Sequence, residues 1–179
     1  MSWSDQHFAE FFRANGQSLL RTAVLLSAGN QHAAEDLLQD ALVNCLRKWP
    51  TRKIEFPAAY VRTTMARLAQ RRRLARTVPT PDLHDRSVQD QTWQVDQRDV
   101  LLTALHALAP RQRSAVVLRY WEGLSEAETA TALGCSVGTV KSQTHRALRT
   151  LREAMGPSFP ERSRPTSQPL VPAADGDLS

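Results

Sequence analysis

The 179-residue sequence has only two cysteines, few aromatic residues and no long apolar run. No segment approaches the roughly 20 apolar residues that a membrane-spanning helix needs, so we expect no contact with a membrane. The amino terminus lacks a basic stretch followed by an apolar segment, which predicts that no signal peptide is present and that the protein is cytoplasmic. Cys45 and Cys135 fit neither a disulfide framework nor a metal knuckle, and we predict two partly buried, unmodified thiols.

Positive charge is concentrated in one segment of the chain. The net charge is +5, and residues 41–76 alone carry ten basic residues and one acidic residue. Such an excess is typical of a surface that binds a polyanion. A solvated basic helix face is the alternative, and charge alone does not separate the two interpretations.

The sequence predicts an all-α fold, because apolar residues recur at three- and four-residue spacing and no alternating pattern appears. In the first half we expect short helices around residues 8–12 and 19–26, a third from about Gln31 to Lys48 capped by Asn30, and a fourth from Pro57 to about Arg76. The inward stripe of the third helix is predicted to consist of Ala34, Leu37, Leu38, Ala41, Leu42 and Leu46.

The pattern divides the chain into two small helical domains. Residues 77–98 contain prolines and acidic residues with little periodicity, which predicts a flexible linker between a domain at 1–76 and a domain at 99–156. The second domain is expected to begin with a helix that stops before Pro110 and another that opens at Pro110. Residues 157–179 are rich in proline and small polar residues, and we predict a disordered tail.

The most specific local pattern is a helix-turn-helix over residues 125–151. Ser125 and Glu128 predict a capping box at the start of the first helix, and Gly134 is expected to end that helix with a positive φ. Ser136 can cap the second helix. The side chains of the second helix that are predicted to face inward are Val137, Val140, Ala147, Leu148 and Leu151.

The opposite side of the second helix is polar and cationic, and carries Lys141, Ser142, His145, Arg146, Arg149 and Arg152. This pattern is typical of a recognition helix that enters the major groove of DNA. Capped helix pairs also occur in proteins that never bind DNA, so a helical hairpin with a solvated basic face is the alternative.

Four segments of the chain resemble the extracytoplasmic-function (ECF) sigma factors of the sigma-70 family, especially the SigE-like actinobacterial group. Residues 108–130 and 133–142 are similar to region 4 of that family. Ala34-Glu-Asp-Leu-Leu-Gln-Asp-Ala resembles region 2.2, and Phe56-Pro-Ala-Ala-Tyr-Val-Arg resembles the start of region 2.4. The resemblance implies that region 2 binds core RNA polymerase and opens the minus-10 promoter element, while region 4 reads the minus-35 element.

The resemblance also implies contacts with the polymerase. Region 2.2 is expected to contact the coiled coil of the β′ subunit through Asp36, Gln39 and Asp40, and region 4 is expected to contact the β flap. Spacing places the three region 2.2 residues near one another on one helix face. Without the resemblance, the same residues could form a solvated face or, with Glu35, a weak metal site. We expect no metal and no cofactor.

Promoter opening needs aromatic side chains that capture unpaired bases and cations that hold the strand. The resemblance points to Trp49, Arg52, Lys53, Phe56, Tyr60, Arg62 and Arg67 for this role, with Arg71, Arg72 and Arg73 on phosphates. Many family members carry Asn at the position of Arg67 and Asp at that of Arg71. The implied minus-35 contacts are Lys141, Ser142, His145 and Arg146, with Arg149 on the same face, and Thr144 occupies a position that is often a larger apolar residue.

We therefore predict a sigma factor that has no catalytic residues and binds core RNA polymerase and promoter DNA, with an anti-sigma factor as a candidate third partner. The first alternative is a helix-turn-helix regulator that acts without core polymerase. The second is a nuclease, which would need clustered carboxylates, histidines or a glycine-rich phosphate loop. Histidines are scattered along the chain and every glycine is expected at a turn or a helix end, which disfavours an enzyme.

Overall fold

The computed structural model describes residues 5–48, 54–71 and 95–156. Those residues form α-helices and one π-helical turn, without a strand among them, which confirms the predicted all-α class. No helix within these ranges is long and apolar enough to cross a membrane. The elements are α1 (Asp5–Leu26), α2 (Gln31–Lys48), α3 (Pro57–Arg71), α4 (Val95–His106), α5 (Pro110–Val116), the π-helical turn (Val117–Trp121), α6 (Glu126–Leu133) and α7 (Val137–Met155).

Helix α1 is one continuous helix, so the prediction of two short helices in this part of the chain is wrong. Gly16 lies in its interior, where a glycine costs about 1 kcal/mol relative to alanine. A Cβ atom at Gly16 would come within 3.2 Å of the Phe12 ring, so the ring lies over the position that a side chain would need. Gly138 likewise lies inside α7, so the expectation that every glycine marks a turn or a helix end is also wrong.

A tight turn joins α1 to α2. Gly29 has a φ of 86°, a left-handed conformation that glycine adopts without strain. A Cβ atom there would lie 3.1 Å from Cδ1 of Leu102 on α4, so the turn also permits a close approach of the carboxy-terminal half. Asn30 then caps α2 as predicted, because its side-chain oxygen accepts a hydrogen bond of 2.8 Å from the amide of Ala33.

The buried stripe of α2 ends differently from the prediction. Leu37, Ala41 and Cys45 follow one another at four-residue spacing and are buried, whereas Leu46 lies one position further around the helix and is 41% exposed. The prediction that Leu46 faces inward is therefore wrong. Burial raises the pKa of the Cys45 thiol to about 12, so the thiol stays protonated at neutral pH. Cys135 is partly buried and also free, as predicted.

In the carboxy-terminal half, α4 begins at Val95, within the segment that was predicted to be linker. Pro110 opens α5 as predicted, but α5 gives way at Val117 to the π-helical turn, which buries Val117 and Leu118. The predicted end of the fourth helix at Arg76, the rest of the linker and the tail at 157–179 lie outside the described residues.

The two halves of the described chain, residues 5–71 and 95–156, pack against each other. Met65 and Ala66 of α3 belong to the same buried cluster as Leu118, Leu124 and Ala132 of the carboxy-terminal half. The buried hydroxyl of Ser114 on α5 donates a hydrogen bond of 3.3 Å to the carbonyl of Ala66. The prediction of two helical domains says nothing of this shared core, which arises from contacts between residues far apart in sequence.

Arg113 is the main polar connection at the end of α4. Its Nε donates to the carbonyl of Leu105 at 2.9 Å, and its Nη2 donates to that of Leu108 at 3.0 Å. Its Nη1 reaches the carbonyl of Leu26, at the end of α1, at 3.2 Å. One guanidinium group thus donates to carbonyls at or just after the carboxy-terminal ends of two helices, where the last carbonyls lack a partner within the helix. The Leu105 carbonyl also accepts a hydrogen bond of 3.2 Å from the amide of Leu108.

Arg113→Met retains most of the side-chain length and removes every donor. We expect the free energy of unfolding, measured by urea denaturation, to fall by about 2–3 kcal/mol, because buried carbonyls would lose charged hydrogen bonds. Arg111→Met, at an exposed position on the same helix, is the matched control and should change stability by less than about 0.5 kcal/mol. Equal effects of the two substitutions would contradict the assignment.

Candidate nucleic-acid interface

The predicted helix-turn-helix is present, and local hydrogen bonds define each of its ends. The amide of Glu128 donates to Oγ of Ser125 at 3.1 Å, and the amide of Ser125 donates to Oε2 of Glu128 at 2.7 Å, which completes the capping box. Gly134 ends α6 with a φ of 65°. Ser136 then accepts a hydrogen bond of 3.1 Å from the amide of Thr139 and caps α7. All four predicted turn and cap residues are confirmed.

Helix α7 separates its two faces in the predicted way, with one exception. Val140, Ala147 and Leu151 are buried as predicted, and Leu148 is partly buried. Val137 is 39% exposed, so the prediction that it faces inward is wrong. It lies in the first turn of α7, beyond the reach of the core, and lines a shallow depression together with residues of α6 and the turn.

The five predicted DNA-contacting side chains of α7 are all exposed, and they are Lys141, Ser142, His145, Arg146 and Arg149. Their spacing of one, three or four residues places them on one face of the helix. Lys141 Nζ lies 3.6 Å from a carboxylate oxygen of Glu126 on α6, and Arg149 Nε lies 3.9 Å from one of Glu153. Exposed pairs of this kind contribute little to stability, so both cations can exchange the carboxylate for a phosphate or a base edge.

Exposed Val137 is a further candidate contact that was not predicted. An apolar side chain on the first turn of a recognition helix can contact the methyl group of thymine in the major groove. Its exposure could have been predicted from its position directly after the cap residue Ser136. The first turn of a helix can extend beyond the core on which the rest of the helix packs.

The structure describes only some of the predicted promoter-opening residues, and those that it describes differ in exposure and in partners. Trp49, Arg52, Lys53, Arg72 and Arg73 lie outside the described residues. Phe56 and Arg71 are exposed, and Tyr60 is half-buried with the Lys48 ammonium 5.9 Å from its ring centre. Arg62 and Arg67, in contrast, are directed at the carboxy-terminal half of the chain.

Arg67 binds the end of α6. Its Nε donates to the carbonyl of Ala132 at 2.6 Å, and its Nη2 donates to the carbonyl of Thr131 at 3.1 Å. Arg62 forms an ion pair with Glu122, in which Nε lies 2.7 Å from Oε2. The Nε–H is not aligned on an acceptor, so this contact is electrostatic rather than a well-formed hydrogen bond. The Thr22 hydroxyl donates to the other oxygen of the Glu122 carboxylate.

The residues predicted to bind the polymerase share one exposed face of α2. Asp36, Gln39 and Asp40 are all exposed. Val43 and Leu46, both exposed, continue the same side of the helix toward its end. These two apolar residues are further candidates that were not predicted, although Val43 lies seven residues after Asp36 and therefore on the same face. The described residues contain no group of histidine, cysteine or acidic side chains arranged to hold a metal ion.

Sequence comparison assigns the two halves to known families. Residues 11–77 match the family described as Sigma-70 region 2, and residues 98–151 match Sigma-70, region 4. The chain is 45% identical over 152 residues to the RNA polymerase sigma-E factor of Streptomyces avermitilis, which covers 83% of this chain and 84% of that protein. The chain belongs to the sigma-70 family.

Further relatives support the ECF group within the family, as the resemblance implied. The sigma factor is 35% identical over 155 residues to the ECF RNA polymerase sigma factor SigM of Mycobacterium tuberculosis, covering 83% of this chain and 77% of that one. Its fold is similar to the sigma factor RpoE of Bartonella quintana in complex with the anti-sigma factor NepR, with a TM-score of 0.63 and 26% identity over 83% of this chain and 96% of that one. A regulator that acts without polymerase would leave the match to region 2 unexplained.

Two buried hydroxyls weaken the packing between the helices of the helix-turn-helix. Thr129 on α6 and Thr144 on α7 are buried, and neither side-chain oxygen has a hydrogen-bond partner among the described residues. A buried hydroxyl without a partner carries the full cost of its desolvation. The resemblance to the ECF sigma factors implies that this position is often a larger apolar residue, which agrees with the burial of Thr144.

Thr144→Val preserves the branched shape and removes the unpaired hydroxyl. We expect the free energy of unfolding to rise by about 1 kcal/mol, as measured by urea denaturation of the whole chain. The control is Thr103→Val on the exposed surface of α4, which should leave stability unchanged within about 0.5 kcal/mol. A loss of stability in Thr144→Val would show that the hydroxyl is satisfied.

Proposed function

We propose that this sigma factor binds core RNA polymerase through α2 and reads the upstream promoter element with α7, while α3 and the loop before it hold the opened strand. The chain supplies no catalysis of its own. The single observation that carries the proposal is the exposed face of α7 from Lys141 to Arg149, because a capped helix presents cations and hydrogen-bonding groups there without burying any of them. In this proposal the domain at 1–76 binds core polymerase and the opened strand, and the domain at 99–156 reads the upstream promoter element.

The upstream element is read in the major groove. Arginine and lysine side chains there donate to the acceptors of guanine, while serine and histidine can bond several base edges. The amino-terminal end of α7 can approach a phosphate, since its first amide groups and its helix dipole favour an anion. Val137 supplies an apolar contact beside these polar groups, which extends recognition to thymine.

The polymerase contact combines charge with apolar area. Asp36, Gln39 and Asp40 offer acceptors to a basic partner surface, and Val43 and Leu46 extend this side of α2 with apolar surface. Interfaces commonly place apolar residues at the centre of a patch and polar residues at the rim. We assign this face to the β′ coiled coil and the surface of region 4 to the β flap.

The downstream strand is assigned to Phe56, Tyr60 and the arginines of α3, together with Trp49, Arg52, Lys53, Arg72 and Arg73. Aromatic side chains stack on unpaired bases and the arginines neutralise phosphates. Because transcription takes place in the cytoplasm of a bacterium, the same proposal places the protein there. An anti-sigma factor is a further proposed partner, since the sigma factor RpoE of Bartonella quintana is bound by one.

Lys141→Ala and Arg146→Ala test the reading of bases. For a residue that contacts a base, we expect discrimination between upstream promoter sequences to fall by about 1–3 kcal/mol. The measurement is binding of the holoenzyme to promoters altered at single upstream positions. Arg152→Ala, six residues after Arg146 on α7, is the control and should leave the discrimination between promoter sequences unchanged. A loss that is equal for every promoter would reassign the residue to phosphate binding.

Asp36→Ala, Asp40→Ala and Val43→Ala test the polymerase face. We expect each substitution to weaken binding of core polymerase by about 1 kcal/mol or more, because the side chains belong to one contact patch. Competition against labelled wild-type factor measures the effect. Glu10→Ala removes an exposed carboxylate from α1 and is the matched control. Unchanged competition by all three variants would remove α2 from the interface.

A further inference from the structure

Ser142 differs in chemistry from the cations beside it on the exposed face of α7. Lys141 and Arg146 carry only hydrogen-bond donors, so they can bind only acceptors on a base edge. A serine hydroxyl has one donor proton and two acceptor lone pairs, so its chemistry alone permits either role. The contact that Ser142 makes within α7 decides which of the two roles is available to DNA.

The single hydroxyl proton of Ser142 is used within the helix. Its Oγ lies 3.0 Å from the carbonyl oxygen of Thr139, one turn earlier in α7. A carbonyl oxygen has no proton to donate, so Ser142 is the donor in this hydrogen bond. Ser136 and Thr139 differ in this respect, because their hydroxyl oxygens lie 2.9 Å apart and either can donate. Ser142 therefore has only its acceptor lone pairs left for a partner outside the chain.

The hydrogen bond from Ser142 adds to those of the helix and does not replace one of them. A carbonyl oxygen has two lone pairs, so that of Thr139 can accept from the helix backbone and from a side chain together. Serine and threonine side chains bond in this way to carbonyls three or four residues earlier. Thr150 on the same helix is a second case, because its Oγ1 donates to the carbonyl of Arg146 at 3.2 Å.

The exposure of Ser142 gives this hydrogen bond a consequence for DNA binding. If Ser142 donates to a base, it gives up the bond to Thr139, so one hydrogen bond is exchanged for another. If Ser142 accepts from a base, the bond to Thr139 is kept and a second bond is gained. One neutral hydrogen bond corresponds to about a fivefold change in affinity, so the acceptor role is favoured by about that factor.

Few groups of DNA can donate to Ser142. In the major groove the exocyclic amino groups of adenine and cytosine are donors, whereas guanine and thymine present acceptors. Phosphate oxygens are acceptors too, and therefore have no proton for a hydroxyl that already donates elsewhere. An amino group on a base edge is thus the partner that matches Ser142.

We propose that Ser142 is a specificity-determining residue that selects a base with an amino group, adenine or cytosine, in the upstream promoter element. Lys141 directly before it requires the opposite kind of base edge, because its ammonium group binds the acceptors of guanine or thymine. The inference rests on the proposed function, in which α7 reads this element in the major groove. It adds the hydrogen-bond character of the base that one residue reads.

Glu126 is another acceptor near this face of α7. Its carboxylate belongs to α6 and lies 3.6 Å from Nζ of Lys141. A carboxylate close to the duplex is repelled by the phosphates, whereas a neutral hydroxyl is not. Glu126 is therefore suited to be the counter-ion of Lys141 in the free chain, and Ser142 is the better acceptor for a base.

The first test maps base preference with the complete holoenzyme. Core RNA polymerase and the full-length factor are mixed with duplexes of a promoter that the holoenzyme transcribes, with the upstream element randomised, and the bound sequences are counted. We expect one position at which the wild type prefers adenine or cytosine and at which Ser142→Ala reduces that preference by about fivefold. Alanine is a good helix former, so the variant retains α7.

The second test removes the amino group from the base. At the position found by the first test, adenine is replaced by purine, or cytosine by its analogue without the amino group. The wild-type holoenzyme should lose about fivefold more affinity than the Ser142→Ala holoenzyme, because the variant has no acceptor at this place. Comparing the two proteins on the same duplexes cancels any effect of the altered base pair itself.

Two controls separate the proposed role from other effects of removing a hydroxyl. Thr150→Ala removes a hydroxyl with the same kind of bond to the helix backbone, outside the five predicted DNA contacts, and should leave base preference unchanged. Ser142→Ala should leave the salt dependence of promoter binding unchanged, because the inference assigns no phosphate to Ser142.

Each outcome decides the inference. A loss confined to adenine or cytosine, together with reduced sensitivity to removal of the amino group, supports the acceptor role. A loss of preference for guanine or thymine overturns it, because Ser142 then donates. A loss that is equal for all sequences, with weaker salt dependence, also overturns it and assigns Ser142 to a phosphate.

An unchanged base preference in Ser142→Ala likewise overturns the inference. If Lys141→Ala or Arg146→Ala still alters the discrimination between promoters, the proposed function stands without it. If none of the three substitutions alters that discrimination, the reading of the upstream element by α7 has failed as well.

Discussion

The burial of α3 between the other amino-terminal helices and the carboxy-terminal half is the contact on which the rest of the structure depends. Val61, Met65 and Ala66 have no exposed surface, and they pack on α1 and α2 on one side and on the carboxy-terminal half on the other. The small side chain of Ala66 lets α5 approach closely enough for Ser114 to bond its carbonyl. With the inner face fixed in this way, the arginines that flank it on α3 have their directions fixed as well.

Features determined by neighbouring residues in sequence were predictable, and features determined by distant ones were not. Asn30, Ser125 and Gly134 act on amides and carbonyls within four residues, so their identity was sufficient to predict the helix ends. The predictions that Gly16 marks a helix end and that Leu46 is buried were wrong. Both features depend on which residues of other helices pack against the position, and these residues are distant in sequence. The exposed face of α7 was predictable because its period is that of the helix itself.

Arg67 illustrates the same limit at the candidate site. Its position among basic residues of α3 indicates a contact with an anion, and nothing local distinguishes a phosphate from the negative end of a helix. The partner carbonyls lie 64 and 65 residues away in sequence. Only the packing of the halves brings these carbonyls within reach, so the structure shows partners for Arg67 that the sequence pattern could not predict.

The acceptors of Arg67 are main-chain carbonyl oxygens, so the contact does not depend on which side chains relatives carry at these two positions. Every residue type at positions 131 and 132 that retains the helix also retains those carbonyls. The side chains of α6 and α7 can therefore drift toward a new promoter preference while the contact between the halves persists. The packing of the two halves and the choice of promoter bases are in this respect separable, so a duplicated copy can change its base preference and retain the contact that joins its halves.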